Sequence, residues 1–101
     1  KNQRENKMGA MTRLVVDKHG NKHEVHAHYI LSGMWEYYQL EEKDEFGVMF
    51  GYMENCPYPE FGSQHEAEIT DIMISKARGK QLWHIDPPVG WKWLEAEEAN
   101  V

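Results

Sequence analysis

Phe46-Gly47-Val48-Met49-Phe50-Gly51-Tyr52-Met53 is the stretch that decides the fold. Successive side chains of a β-strand point to opposite faces. Phe46, Val48, Phe50 and Tyr52 therefore share one face, and Gly47, Met49, Gly51 and Met53 share the other. The large-residue face is expected to pack in the core. Glycine inside a strand marks a place where a neighbouring backbone or a bulky side chain comes close.

Upstream, the acidic turn EEKDE (41–45) follows a second strand from Met34 to Leu40, rich in the aromatic residues that strands favour. Further upstream, period-two alternation begins at Thr12. It is interrupted by DKHGNK (17–22), where Gly20 can take the left-handed conformation of a short hairpin loop, and resumes over His23–Tyr29. A β-hairpin over 12–29 is expected. Downstream, Pro57 and Pro59 hold 54–62 in a loop. Ser63 and Glu66 have capping-box spacing, and Ile69, Ile72 and Met73 follow at helical spacing up to Gly79. A helix over about 65–77 is expected, although the β-branched run in EITDIMIS also suits a strand. Gln81–Ile85 reads as a last strand, and Asp86-Pro87-Pro88-Val89-Gly90 as a turn before Trp91 and Trp93.

These elements predict an α+β fold: a twisted antiparallel sheet of about five strands, with one short helix packed on one face. Residues 11–95 form the single domain. Residues 1–10 are polar and aperiodic and read as a disordered segment or a non-native remnant ahead of Met11, and residues 96–101 as a frayed acidic tail. A chain of 101 residues can bury a usable core without a disulfide or metal. Cys56 is the only cysteine, which rules out an intrachain disulfide and paired-thiol zinc frameworks. A net charge of −6, from 11 Lys+Arg against 17 Asp+Glu, argues against binding duplex nucleic acid. No apolar run nears the roughly 18 residues that span a bilayer, and no signal-peptide core is visible, so a cytoplasmic, membrane-free protein is expected.

The stretch WEYYQLEEKDEFGVMFGYMENCPYPEFGSQHEAEI (35–69) resembles the centre of a family of small uncharacterised bacterial, plasmid and phage proteins, the DUF2958 type. The likeness lies in an aromatic strand, an acidic turn, an F-G-hydrophobic strand, and a Pro-Glu-aromatic-Gly element, here Pro59, Glu60, Phe61 and Gly62. QLWHIDPP (81–88) is similar to that family's closing strand. This chain departs from the family pattern before the Pro-Glu element and at His65. The resemblance implies no reaction or cofactor. It implies a mobile-element setting, in which small acidic proteins bind host or competitor proteins.

Four groups of residues are candidate sites. Trp35, Tyr37, Tyr58, Trp91 and Trp93 are a heavy aromatic load for so polar a chain, and exposed Trp and Tyr often anchor protein interfaces. With Glu60 and Phe61 they form the candidate partner-binding set. The same rings can equally serve as core. Glu24, His26 and His28 alternate on one strand face and form the alternative metal-ligand set, against a plain solvated hairpin face. His65 and Glu66, near Glu60, have the residue types of an acid–base pair, but no nucleophile accompanies them. Cys56 lies in acidic surroundings unsuited to a reactive thiolate. No phosphate loop, dinucleotide fingerprint, nucleophile elbow or metalloprotease motif is present. The leading expectation is a non-enzymatic, cofactor-free, acidic protein-binding module, an inhibitor or modulator of a host or defence protein. A metal-binding protein or small metal-dependent enzyme using that His/Glu strand face, and a structural module that oligomerises through a strand edge, are the alternatives.

Overall fold

The computed structural model describes residues 11–94. The expectations for residues 1–10 and for the tail 96–101 lie outside that range. The described chain folds into two antiparallel sheets. Strands β1 (Arg13–Val16) and β2 (Lys22–Val25) form the expected hairpin, and β8 (Lys92–Trp93) joins β1 on its other side. The second sheet has five strands in the order β6 (Glu60–His65), β5 (Val48–Glu54), β4 (Glu36–Gln39), β3 (Ala27–Leu31) and β7 (Met73–Ala77). The α+β class and the five-stranded antiparallel sheet are as expected. The additional three-stranded sheet is not.

The division comes at His26. The run 23–29 reads as one strand, yet Val25 packs in one core cluster and Ala27 in another. The chain passes from the small sheet to the large one at this point, and the His26 N–H donates to the Gln39 carbonyl at 2.8 Å. Each face of the large sheet has its own core. Tyr38, with Phe50 and Tyr52 beside it, meets Val15, Val25 and Trp91 of the small sheet, together with Leu40 and Leu82. On the opposite face Ala27, Tyr29, Leu31, Tyr37 and Met49 pack against Ile69. The Met–Gly face of 46–53 is therefore as much a core face as the aromatic one, and Phe46, in the turn before β5, is 72% exposed.

Ile69 belongs to α1 (Glu66–Asp71), a helix of only six residues. It starts two residues later than the spacing of Ser63 and Glu66 predicts. His65 is the cap: its Nδ1 accepts from the Ala67 N–H at 3.0 Å, and Glu68 Oε1 accepts from the His65 N–H at 3.2 Å. Ser63 lies within β6. The helix stops early because residues 73–77 pair with β3, so Met73 opposes Leu31 and Lys76 opposes Tyr29. The expected last strand, Gln81–Ile85, is instead occupied mostly by a 3₁₀ turn, Gly79–His84, which drives Leu82 into the first core.

Asp17 organises the hairpin loop. Its Oδ1 accepts from the His19 and Asn21 N–H groups, each at 2.9 Å, and its Oδ2 lies 2.9 Å from His23 Nε2. The His23 hydrogen bond is the main influence that lowers the carboxyl from its ordinary 3.8 to about 2; the backbone donors add to it, against an opposing desolvation. A lowered carboxyl stabilises the fold above its unfolded pKa and loses that contribution as pH falls through the folded value. The thermal midpoint should therefore drop between about pH 4 and pH 2, and Asp17→Asn should flatten that drop while lowering the midpoint at neutral pH. Melts across this range check it. An unaltered acid limb in the variant would assign the acid sensitivity to other carboxyls.

Candidate functional site

The site takes shape at the end of the large sheet where β4, β5 and β6 meet the loop 55–59. Trp35 enters β4 from a 3₁₀ turn, Ser32–Met34. Within that turn Gly33 has φ 80° and Met34 φ 66°. The left-handed region is ordinary for glycine but costly for a residue with a side chain. Met34 is held there by two neighbouring bonds: its carbonyl accepts from Asn55 Nδ2 at 2.8 Å, and the Leu31 N–H donates to the Trp35 carbonyl at 2.8 Å. Asn55, at φ 59°, starts the loop. Glu54 Oε2 accepts from the Val89 N–H at 2.8 Å and ties the 86–90 turn to the same corner.

This anchored corner frames a cleft of about 260 Å³, walled by Trp35, Tyr37, Met53, Cys56, Pro57, Tyr58, Glu60, Gly62 and Gln64. A broader groove of about 610 Å³ continues past Trp35, Cys56 and Pro57 to Glu36, Glu54 and Val89. Tyr58 and Val89 are both 82% exposed and Trp35 is 39% exposed. Glu36, Glu54 and Glu60 line the combined surface, and among the described residues neither lysine nor arginine does. The cleft exists because a six-residue helix is about 9 Å long. Five strands spread over roughly 19 Å between their outer axes. One short helix leaves part of that face open.

The structure brings Trp35, Tyr37, Tyr58 and Glu60 of the expected set together, with Tyr37 as a buried wall rather than a surface ring. Its hydroxyl donates to the Met49 carbonyl at 3.3 Å. Phe61 points to the other face of β6, where its ring lies 5.0 Å from Tyr52, 5.7 Å from Trp91 and 5.5 Å from His23. Trp91, of the candidate partner-binding set, is a core residue that stacks on His23 at 5.2 Å. Trp93 is half-buried. Its Nε1–H donates to the Ile85 carbonyl at 2.8 Å, and the Arg13 guanidinium sits 4.2 Å from its ring. Both tryptophans fasten the small sheet, alongside the pairing of β8 with β1.

The other candidates separate in space. Glu24 is on β2, His26 at the sheet change and His28 on β3. His26 Nε2 is 3.9 Å from Glu24, while His28 turns into the interior, where its Nε2 lies 2.8 Å from Glu36 Oε1 and its ring 4.7 Å from Tyr38. Among the described residues no three His, Cys, Asp or Glu side chains converge as metal ligands. Glu60 lies at the far end of β6 from His65; His65 and Glu66 are adjacent, with His65 Nδ1 taken up as the cap of α1. Lys43 holds Glu66 at 2.8 Å and lowers its pKa.

No protein family, curated protein or solved structure matches this chain. The geometry alone must carry the function. It offers an apolar, aromatic hollow with a carboxylate rim, beside the unpaired edge of β6. Sequence reading missed Met53, Gly62 and Gln64 as walls of the cleft. Gly62 and Gln64 share a period-two face with Glu60, a signal hidden by reading 63–66 as a helix start. No helix among the described residues is long and apolar enough to cross a membrane.

Proposed function

We propose that this protein is a binding module that takes a cationic, extended segment of a partner protein into the Trp35–Tyr58 cleft. The observation that carries the proposal is the charge pattern of the cleft: exposed Trp35 and Tyr58 with Glu36, Glu54 and Glu60, and no basic residue among the walls. Rigid aromatic rings supply contact area, and the carboxylates select and steer positive charge. The free edge of β6 lies beside the hollow, and an added strand there would gain main-chain hydrogen bonds while its alternate side chains enter the cleft. The left-handed Met34 is in keeping with a site, since such backbone persists where surrounding structure enforces it. The resemblance of residues 35–69 to mobile-element proteins suggests a host or defence protein as the partner, bound so as to modulate it.

A positional array of extended peptides, with Lys or Arg at alternate positions and Glu counterparts as controls, tests this by fluorescence polarisation. Basic peptides should bind, and Trp35→Ala/Tyr58→Ala should weaken them at least tenfold with an unchanged melt. Equal binding by the variant, or no preference for basic over acidic peptides, would overturn the proposal.

A second reading rests on the opposite edge. Among the described residues strand β7 pairs with β3 alone, and Met73 and Ile74 on it, with Ile72 just before it, are exposed. An unpaired apolar edge is a template for pairing with a second copy. Sedimentation over a hundredfold concentration range should then show a dimer that Ile74→Lys abolishes.

A further inference from the structure

We infer that a second pocket, formed by Tyr29, Gln39, Lys43, Lys76 and Arg78, binds a phosphate group. It shares no wall residue with the aromatic cleft and stands independently of the function proposed there. Its volume is about 130 Å³. That is well below the roughly 300–1,000 Å³ of pockets that enclose drug-sized ligands, so it suits one small group with the rest of the ligand outside.

The charge of the pocket is opposite to that of the chain. Three basic side chains, Lys43, Lys76 and Arg78, line it against two acidic ones, Glu42 and Glu66. The protein as a whole stands at −6. Lys43 is engaged by both oxygens of Glu66, at 2.8 and 2.9 Å. Lys76 and Arg78 have no carboxylate within ion-pair distance among the described residues, in a chain with a surplus of acids to pair them. Lys76 lies on β7 and Arg78 follows that strand in extended backbone, at φ −151° and ψ 168°, so both side chains turn to the same face and line the pocket. Glu66, already held by Lys43, is within electrostatic reach of Lys76, yet a phosphate entering the pocket meets Lys76 and Arg78 without first breaking an ion pair.

Polar groups complete the pocket. Lys76 Nζ lies 5.3 Å from the Tyr29 ring centroid, which places the ammonium over the pocket wall. The Tyr29 hydroxyl donates to Gln39 Oε1 at 3.1 Å, and Gln39 Nε2 donates to the Glu41 carbonyl at 3.0 Å, so this wall is pre-oriented. The Arg78 guanidinium can meet two phosphate oxygens at once, while Lys76 provides a compact positive charge. A tetrahedral dianion satisfies both better than a single carboxylate.

The test is an amide-resolved NMR titration of the whole chain with inorganic phosphate, with sodium chloride and sodium acetate as arms at matched ionic strength. Saturable phosphate shifts should centre on Tyr29, Lys76 and Arg78. Lys76→Gln/Arg78→Gln should weaken binding at least tenfold with an unchanged melt, since both side chains are exposed. Lys80→Gln, outside the pocket, should bind as the wild type does. Three outcomes would overturn the inference: equal shifts with chloride, binding of acetate as tight as phosphate, or equal losses in the Lys80 variant.

Discussion

Alanine at Gly51 is expected to destabilise the protein by about 3 kcal/mol, near the upper end of ordinary overpacking. For a domain of this size that lowers the thermal midpoint by roughly 10–25 °C. A Cβ at this position would sit 2.5 Å from Tyr37 Cζ and 2.6 Å from its hydroxyl oxygen, and closer still to the Tyr38 carbonyl. Neither neighbour can yield. Tyr37 is fully buried with its hydroxyl bonded to Met49, and the Tyr38 carbonyl belongs to the backbone of a central strand. The cross-strand partner Gly62 is the control. It pairs directly with Gly51, yet a Cβ there meets nothing within 4 Å. Gly62→Ala should lie within about 0.5 kcal/mol of the wild type. Urea denaturation of both variants decides the matter. Equal costs at the two positions would mean that strand propensity, not the Tyr37 contact, sets the penalty.

Leu82→Ala is expected to cost about 2–5 kcal/mol, the range for emptying a buried leucine site. That is a large share of the roughly 5–15 kcal/mol that holds a domain together. Leu82 is fully buried among Val15, Val25, Tyr38, Leu40 and Trp91, where it helps join the small sheet to the large one. The 3₁₀ turn that carries it is fixed from outside: Arg13 Nη1 donates to the Leu82 carbonyl at 3.0 Å while its guanidinium lies 5.0 Å from the Trp83 ring. Such a turn cannot easily collapse into the cavity that alanine would leave. The exposed neighbour Lys80→Ala should be silent within about 0.5 kcal/mol. A cost for Leu82→Ala below about 1 kcal/mol would show that the two sheets are joined elsewhere.

Both residues show how far local pattern reaches. The alternation over 46–53 marks a strand with glycines that admit a bulky neighbour, and Gly51 beneath Tyr37 is that arrangement. Leu82 falls in the stretch read as a last strand, yet it lies in a 3₁₀ turn, and its full burial emerges only from the tertiary packing. The same division runs through the site. Trp35, Tyr58 and Glu60 share a cleft. Trp91 and Trp93, which carry the same local signal, fasten the small sheet instead. A tryptophan does not encode whether another layer will cover it.

By itself the sequence determined the strands ahead of the Pro57–Pro59 loop, the hairpin around Gly20 and the acidic charge, while β6 and β7 fell outside its strand reading. Each feature it determined follows from interactions between residues near in the chain. Tertiary structure alone decided the second sheet, the length of α1 and the burial of the aromatics. Residues 73–77 carry enough β-branched character for either state, and their hydrogen bonds to β3 settle it as a strand. That pairing shortens the helix. The short helix leaves one face of the large sheet partly uncovered, and both pockets open there. Long-range pairing sets which surface remains open, and no local pattern records it.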